Sequence, residues 1–464
     1  MNPNSEKDFV PSPRAREKFP PQVKYIIGNE ACERFSYYGM LSILTLYLEH
    51  TMKMNATQSR EVVHLFATAV YFLPLAGGWL ADRWLGRYWT ILSISLFYCA
   101  GHGALALFEG NLAGLCLGLG LIAIGAGGIK PCVSAFVGDQ FPGQPEALLT
   151  KVYGLFYWSI NLGAFFGFAL IPLIRDHGGY RWAFGVPGIF MGLATLFFWL
   201  GTPHYRREPP VGKAKAAGVG TVFWHALRRR GAGAASFLDN ALGRFSRDEV
   251  DAVKAVGRIL TVFATVPVFW SLFNQVNTTW VLQGEKMTPF SLLGYKVDAE
   301  RIQSAGSLLV LIWVPILTLW VYPWAERLGL RPTPLRRMGA GMILAAASFV
   351  ICGLVQSWMD AGRPVSLAWQ IPPYIVLEAG EVLVSATALE FAFSQAPARM
   401  KSVIMSFWLM TIAGGHFLVA VITNLNSRFV HARGATEFYF YAALMVVVAG
   451  IFAVTAARYR RPLS

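Results

Sequence analysis

The sequence predicts an all-α integral membrane protein built as two six-helix bundles with twelve transmembrane helices. Three observations predict it. Hydrophobic residues make up 55% of the chain. Apolar runs of roughly 20 residues, the length that crosses a bilayer as a helix, recur from end to end. Lysine and arginine concentrate in alternate connections, the distribution that the positive-inside bias produces. A single soluble core does not need so much apolar surface, so soluble enzyme classes are excluded.

The first two dozen residues are polar and rich in Pro, Lys and Arg, so no cleavable signal is expected and the N-terminus is expected to stay in the cytoplasm. Spans then centre near Phe35, Phe72, Phe97, Ile124, Leu162, Leu193, Phe269, Ile312, Leu344, Leu383, Phe417 and Val447. Arg83 and Arg87 follow span two, Glu326, Arg327, Arg331, Arg336 and Arg337 follow span eight, and Arg399 and Lys401 follow span ten. Arg458, Arg460 and Arg461 close the chain, which puts both ends on the cytoplasmic side. The one long connection carries Arg206, Arg207, Lys213, Lys215, Arg228, Arg229 and Arg230 and has no run long enough to cross. The expected organisation is a tail at 1–22, a first bundle at 23–202, a basic cytoplasmic linker at 203–256, a second bundle at 257–458 and a tail at 459–464. Within the linker, Val219 to Arg230 and Phe237 to Leu260 read as amphipathic segments.

The net charge of +14 would suggest nucleic acid in a soluble protein, but here the bases sit in membrane-flanking loops and point to lipid instead. Cys32, Cys99, Cys116, Cys132 and Cys352 all fall in apolar segments without metal-ligand spacing, so neither a disulfide framework nor a metal site is expected. No cofactor motif is present, and no paired metal-binding His, Ser/Lys arrangement or carbonyl filter suggests an intramembrane enzyme or a channel.

Span one carries Glu30-Ala-Cys-Glu-Arg-Phe-Ser-Tyr-Tyr-Gly39. A charged side chain at the bilayer centre costs roughly 2.5 to 3.5 kcal/mol, so such groups pair, face a wet cavity and mark an ion or substrate path. Glu30, Glu33, Arg34, Tyr37, Tyr38 and Leu41 recur at three- and four-residue spacing and fall along one helical stripe. Glu30 and Arg34 are an i,i+4 pair in the favourable order. The bland alternative is a buried ionic brace. Span four ends in Gly127-Gly-Ile-Lys-Pro-Cys, where Lys130 is a lone cation beside Pro131; snorkelling to the interface is its ordinary alternative. Span five offers Asn161, a neutral donor and acceptor. Span ten has Glu381 and Ser385 one turn apart, with Glu378 as a rival carboxylate. Trp270 and Trp408 can supply aromatic walls or simply pack. His64, on one face with Tyr71, has titratable neighbours.

The loop after span two reads Gly78-Trp-Leu-Ala-Asp-Arg-Trp-Leu-Gly-Arg87 and resembles the loop motif of the major facilitator superfamily. That resemblance implies the major facilitator fold, with a substrate site between the halves, and a cytoplasmic gate at which Asp82 pairs with Arg83 and Arg87. The segments Glu30 to Gly39, Gly128 to Phe141, Phe156 to Gly163 and Gly380 to Pro397 further resemble the proton-coupled oligopeptide transporters of that superfamily, several of them more closely the animal members. The large domain that animal members carry between spans nine and ten is missing, as is the helix pair that many bacterial members insert between the halves.

The resemblance implies a cell-membrane symporter of di- and tripeptides with protons, not an enzyme, working as a monomer in the lipid bilayer. It implies proton coupling through Glu30, Glu33, Arg34, His64 and Glu381. The implied peptide pocket consists of Arg34, Tyr37, Tyr38, Tyr71, Lys130 and Asn161 from one half and Trp270, Asn274, Glu381, Ser385 and Trp408 from the other. Three positions depart from the family pattern: Leu41 and Asn274 replace the base and acid of a cross-half salt bridge, and Gly306 replaces a pocket Asn. Losing both members of a pair is nearly neutral, whereas losing one leaves a buried charge. A transporter of nitrate or an amino-acid-like solute is the alternative within the same family.

Overall fold

The computed structural model describes residues 19–141, 146–210, 219–229, 236–395, 401–430 and 432–459. The bases Lys213, Lys215, Arg230, Arg399, Arg460 and Arg461, together with Pro397, lie outside the described residues.

The first half contains α1 (Val23–His50), α2 (Ala56–Phe72), α3 (Pro74–Leu80), α4 (Gly86–Leu107), α5 (Leu112–Asp139) and α6 (Glu146–Leu200). Helix α2 opens with a reciprocal capping box between Asn55 and Gln58, and Asn111 accepts from the Gly114 amide to start α5. Helix α6 occupies two predicted spans and is divided at Gly179, whose φ of 76° only glycine adopts cheaply. The connection between halves includes α7 (Val219–Arg228). The second half contains α8 (Arg247–Phe263), α9 (Val266–Phe273), α10 (Thr279–Glu285), α11 (Ser304–Ile316), α12 (Tyr322–Arg327), α13 (Pro334–Asp360), α14 (Ile371–Gln395), α15 (Lys401–Leu425) and α16 (Ala435–Arg458). Helix α8 starts at a Ser246/Glu249 capping box inside the segment read as amphipathic, and its Val250, Val253, Val256 and Ile259 are buried in the core of the second half. A short hairpin, β1 (Phe290–Leu292) and β2 (Tyr295–Val297), follows α10. Its tight turn puts Leu293 and Gly294 at positive φ.

Among the described residues, seven helical stretches are long and apolar enough to cross a membrane, and the bent pair Arg247–Phe263 with Val266–Glu285 makes an eighth. Two of these stretches, Ala56–Leu107 and Lys151–His204, each cover two predicted spans. The predicted spans left over are α1 and α14, and these are the helices that carry Glu30, Glu33 and Arg34, and Glu378 and Glu381. The charge that disqualifies them as simple lipid-facing helices is the charge that matters below.

Buried apolar side chains form one large cluster between Val23 and Tyr205 and another between Val222 and Phe452, so each half has its own core. Close packing inside the first half depends on glycine. A Cβ on Gly163 would lie 2.4 Å from the Ala31 carbonyl oxygen, and one on Gly167 would lie 2.8 Å from the Gly39 nitrogen, so α1 and α6 meet backbone to backbone.

The halves are tied at the end that holds the α1–α2 connection. Thr45 donates to the Asn277 carbonyl at 2.6 Å, Gln303 to the Ser42 carbonyl at 3.3 Å, and Asn424 to Glu61 at 2.7 Å. Arg60 pairs with Glu437, Arg175 with Glu300, and Arg301 with Asp176. The Tyr295 hydroxyl, at the start of β2, donates to the Ala169 carbonyl. This end of the interface is closed.

Candidate transport site

The stripe read from α1 is present and buried. Arg34 Nε donates to Glu30 Oε1 at 2.6 Å and lies 3.0 Å from Glu33 Oε2. The second contact is an ion pair without hydrogen-bond geometry, because neither Glu33 oxygen has a hydrogen-bond partner. One guanidinium thus faces two carboxylates, and transfer of a proton to either acid would release it toward a different anion.

Lys130 reaches the same cluster from α5. Its Nζ lies 4.3 Å from the centre of the Tyr37 ring and 5.0 Å from that of Tyr71, and it has no hydrogen-bond partner. Ring faces stabilise a desolvated ammonium without neutralising it. Tyr38 sits edge-on to Tyr37 at 5.2 Å, and on α6 Asn161 donates to the Tyr157 carbonyl at 3.0 Å.

From the second half, Ser385 donates to Glu381 Oε1 at 2.6 Å, while Glu381 Oε2 is buried without a partner. Trp270 and Trp408 meet edge to face at 5.8 Å, and Trp270 Nε1 and Asn274 Nδ2 are also buried and unbonded. Leu41 is buried apolar surface. Gly306 faces Glu378: a Cβ there would come within 2.6 Å of Glu378 Oε1, so the missing side chain makes room for a second carboxyl.

The loop-motif residues separate. Arg87 donates to both oxygens of Asp139 at 2.5 and 2.6 Å, Arg83 lies over Trp79, and Asp82 is exposed.

His64 is fully buried, and its partners were not foreseen. Its Nδ1 lies 2.9 Å from His416 Nδ1 on α15, and its Nε2 lies 2.9 Å from Thr278 Oγ1. A second buried histidine, His102 on α4, bonds Ser36 at 2.9 Å. The signal for His416 was available, since it is a histidine near the centre of span eleven. The four-residue ionic cluster of Arg175, Asp176, Glu300 and Arg301 had no such signal, because charges in short connections read as solvated. Among the described residues, no group of three or more His, Cys, Asp or Glu could hold a metal ion.

Chemically, the site offers fixed cations on one half, an unpaired carboxylate oxygen on the other and aromatic faces between. Residues 88–439 match PTR2, the POT family. The chain belongs to the POT family. It is 35% identical over 388 residues to solute carrier family 15 member 2 of Mus musculus, covering 77% of this chain and 53% of that protein. It is 37% identical over 361 residues to peptide transporter family 1 of Drosophila melanogaster, covering 74% of this chain and 48% of that protein. The chain therefore spans about half the length of the curated relatives it matches. Solved structures of the POT family match along nearly the whole chain. The crystal structure of an auto-inhibited POT family peptide transporter aligns with a TM-score of 0.89 at 38% identity, covering 95% of this chain and 98% of that one. The POT family transporter PepTSo aligns with a TM-score of 0.90 at 37% identity, covering 95% and 99%. The fold is thus the major facilitator fold of a multi-pass membrane transporter, as the loop motif and the span pattern predicted.

Proposed function

We propose that this chain is a proton-coupled symporter that imports di- and tripeptides by alternating access. The observation that carries the reading is the division of unpaired charge: Lys130 Nζ on the first half and Glu381 Oε2 on the second are both buried without a hydrogen-bond partner. Leaving such groups unpaired costs several kcal/mol each unless a ligand completes them. A short peptide is a zwitterion with its terminal charges a fixed distance apart. Its carboxylate suits Arg34 and Lys130, its ammonium suits Glu381 with Ser385, and its backbone amide suits Asn161 and Asn274. Tyr37, Tyr38, Tyr71, Trp270 and Trp408 provide side-chain walls that tolerate variety. Peptide transport in the named relatives, and POT family membership, support the same reading.

In this reading Glu30, Glu33, His64 and Glu381 exchange the protons. Protonation of Glu30 or Glu33 frees Arg34 for the peptide carboxylate, linking the two cargoes. Each charge moved inward gains about 2.3 kcal/mol per 100 mV, enough for one proton to drive accumulation. The bundles are 23–202 and 257–458, joined by the linker 203–256, whose last ten residues begin α8 and pack into the second core. The protein acts as a monomer in the cell inner membrane with both tails, 1–22 and 459–464, cytoplasmic, so the closed α1–α2 end faces outward. The Arg87–Asp139 pair belongs to the cytoplasmic gate, with Asp82 and Arg83 exposed beside it.

The test is pH-gradient-driven uptake of labelled dialanine into proteoliposomes. Wild type should accumulate it, and Lys130→Ala and Glu381→Ala should not. Wild-type uptake by either variant would overturn the assignment.

A further inference from the structure

His416 binds no substrate group in the reading above, yet it is buried and sits across the halves from His64. Their rings lie 5.2 Å apart, and Tyr71 stacks on the His416 ring at 5.8 Å and 17°. Because His64 also bonds Thr278, one residue of the first half is held between two residues of the second.

The ring chemistry limits how many protons this arrangement accepts. Two imidazole nitrogens 2.9 Å apart need one N–H and one lone pair. With both rings neutral, either orientation of that hydrogen bond satisfies the contact, and Thr278 adapts as acceptor or donor. With one added proton, His64 donates from Nδ1 to His416 and from Nε2 to Thr278, and every facing atom is satisfied. With a second proton both Nδ1 atoms carry hydrogen: the bond is lost and two cations confront each other out of water.

We propose that His416 is a second proton-binding residue of the coupling machinery, sharing one proton with His64 across the halves and separating from it when the pair takes up another. Protonation then acts directly on the interface that must open. The surroundings set the threshold. On α2 the nearby charges are Arg60, which pairs with Glu437 of α16, and Glu61, which accepts from Asn424. Helix α5 presents Lys130; α1 presents Glu30, Glu33, Arg34, Tyr37 and Tyr38; α14 presents Glu378 and Glu381. Helices α3 and α9 and the turn at 274–277 bring no ionisable side chain. Arg428 follows α15, and Lys254 of α8 is paired with Asp239 and Asp251. Lys130, whose ammonium lies 5.0 Å from the centre of the Tyr71 ring stacked on His416, is the cation that resists the second proton until an anion arrives beside it.

The inference rests on the transport reading only for its role in coupling, so the experiment reads the interface without substrate. Spin labels at the exposed positions Lys53 and Arg433, one on each half at the closed end, report separation as pH is lowered after the native cysteines are replaced. The distance should lengthen on acidification in the otherwise wild-type protein and become pH-independent in His416→Asn, which keeps a hydrogen-bonding group but cannot titrate. In proteoliposomes, proton-driven dialanine uptake by this variant should fall about tenfold while peptide counterflow is retained. If His416→Asn does not purify as a monodisperse protein, His416→Gln serves in its place. A wild-type pH response of the distance in the Asn or Gln variant overturns the inference, even if uptake proves proton-driven. Loss of that response in a protein that carries no peptide leaves the inference standing and overturns the transport reading instead.

Discussion

At the closed end, Arg301 reaches both Asp176 and Asp298 while Arg175 reaches Glu300, whereas in the central cluster Lys130 Nζ and Glu381 Oε2 have no hydrogen-bond partner. Both regions bury charge between the same two halves. At the end the halves satisfy each other, and the charges hold one conformation. In the centre each half leaves its charge incomplete, which on the proposed transport reading forgoes stability for a ligand that bridges them. Pairing thus distinguishes latch from pocket more clearly than the mere presence of charge does.

The contrast is broken most completely at the pocket. Glu381→Ala or Lys130→Ala should abolish peptide-driven turnover while leaving the melting temperature in detergent unchanged or raised, since an unpaired buried charge is removed; a large drop in melting temperature would show that the group is a brace. The next effect is the reverse. Arg301→Met strands Asp298 and leaves Asp176 to Arg175 alone, and the closed end should lose about 2 kcal/mol, read as a lower melting temperature and a longer label distance across that end. Adding Asp298→Asn should recover part of the loss, and no recovery would mean that Arg301 acts only through packing. Gly306→Ala comes third: the new methyl must push the Glu378 carboxyl aside, costing about 1 kcal/mol and weakening peptide affinity more than maximal rate. Unchanged affinity would separate Glu378 from the pocket.

The smallest effect lies outside the membrane. The hydrogen bond from Lys254 holds the Asp239 carboxyl below its ordinary range. A depressed carboxylate stabilises the fold above its unfolded pKa, and that contribution disappears as pH falls through the lower folded value. Lys254→Met should therefore remove a slight acid-side dependence of the melting temperature and leave neutral-pH transport intact. An unaltered acid limb would show the pair to be decorative.

The fold was legible because the bilayer imposes its length on each span, and Gly78 to Arg87 marked the second of them. The α1 cluster was legible because Glu30 and Arg34 share one helix, where spacing alone predicts contact. The hairpin at 290–297 was not, since two three-residue strands carry no periodic signal. Neither was the pairing of His64 with His416 and Thr278, which joins positions far apart in sequence and depends on how two separately packed bundles face each other. The replacements at Leu41 and Asn274 were visible, but their consequence was not: the cross-half pairing at the closed end is carried by Arg175, Asp176, Glu300 and Arg301 in the connections instead.

The contact of α1 with α6 through Gly163 and Gly167 has a mechanical meaning. Backbones that touch without intervening side chains have no room to slide, so under the proposed alternating access the Glu30–Arg34 cluster and Asn161 should ride as one solid part while the opposite bundle swings. Any gauge placed between Ala31 and Gly163 should read the same in every stage of the cycle, which makes that pair the natural fixed reference against which all other displacements in the molecule can be measured.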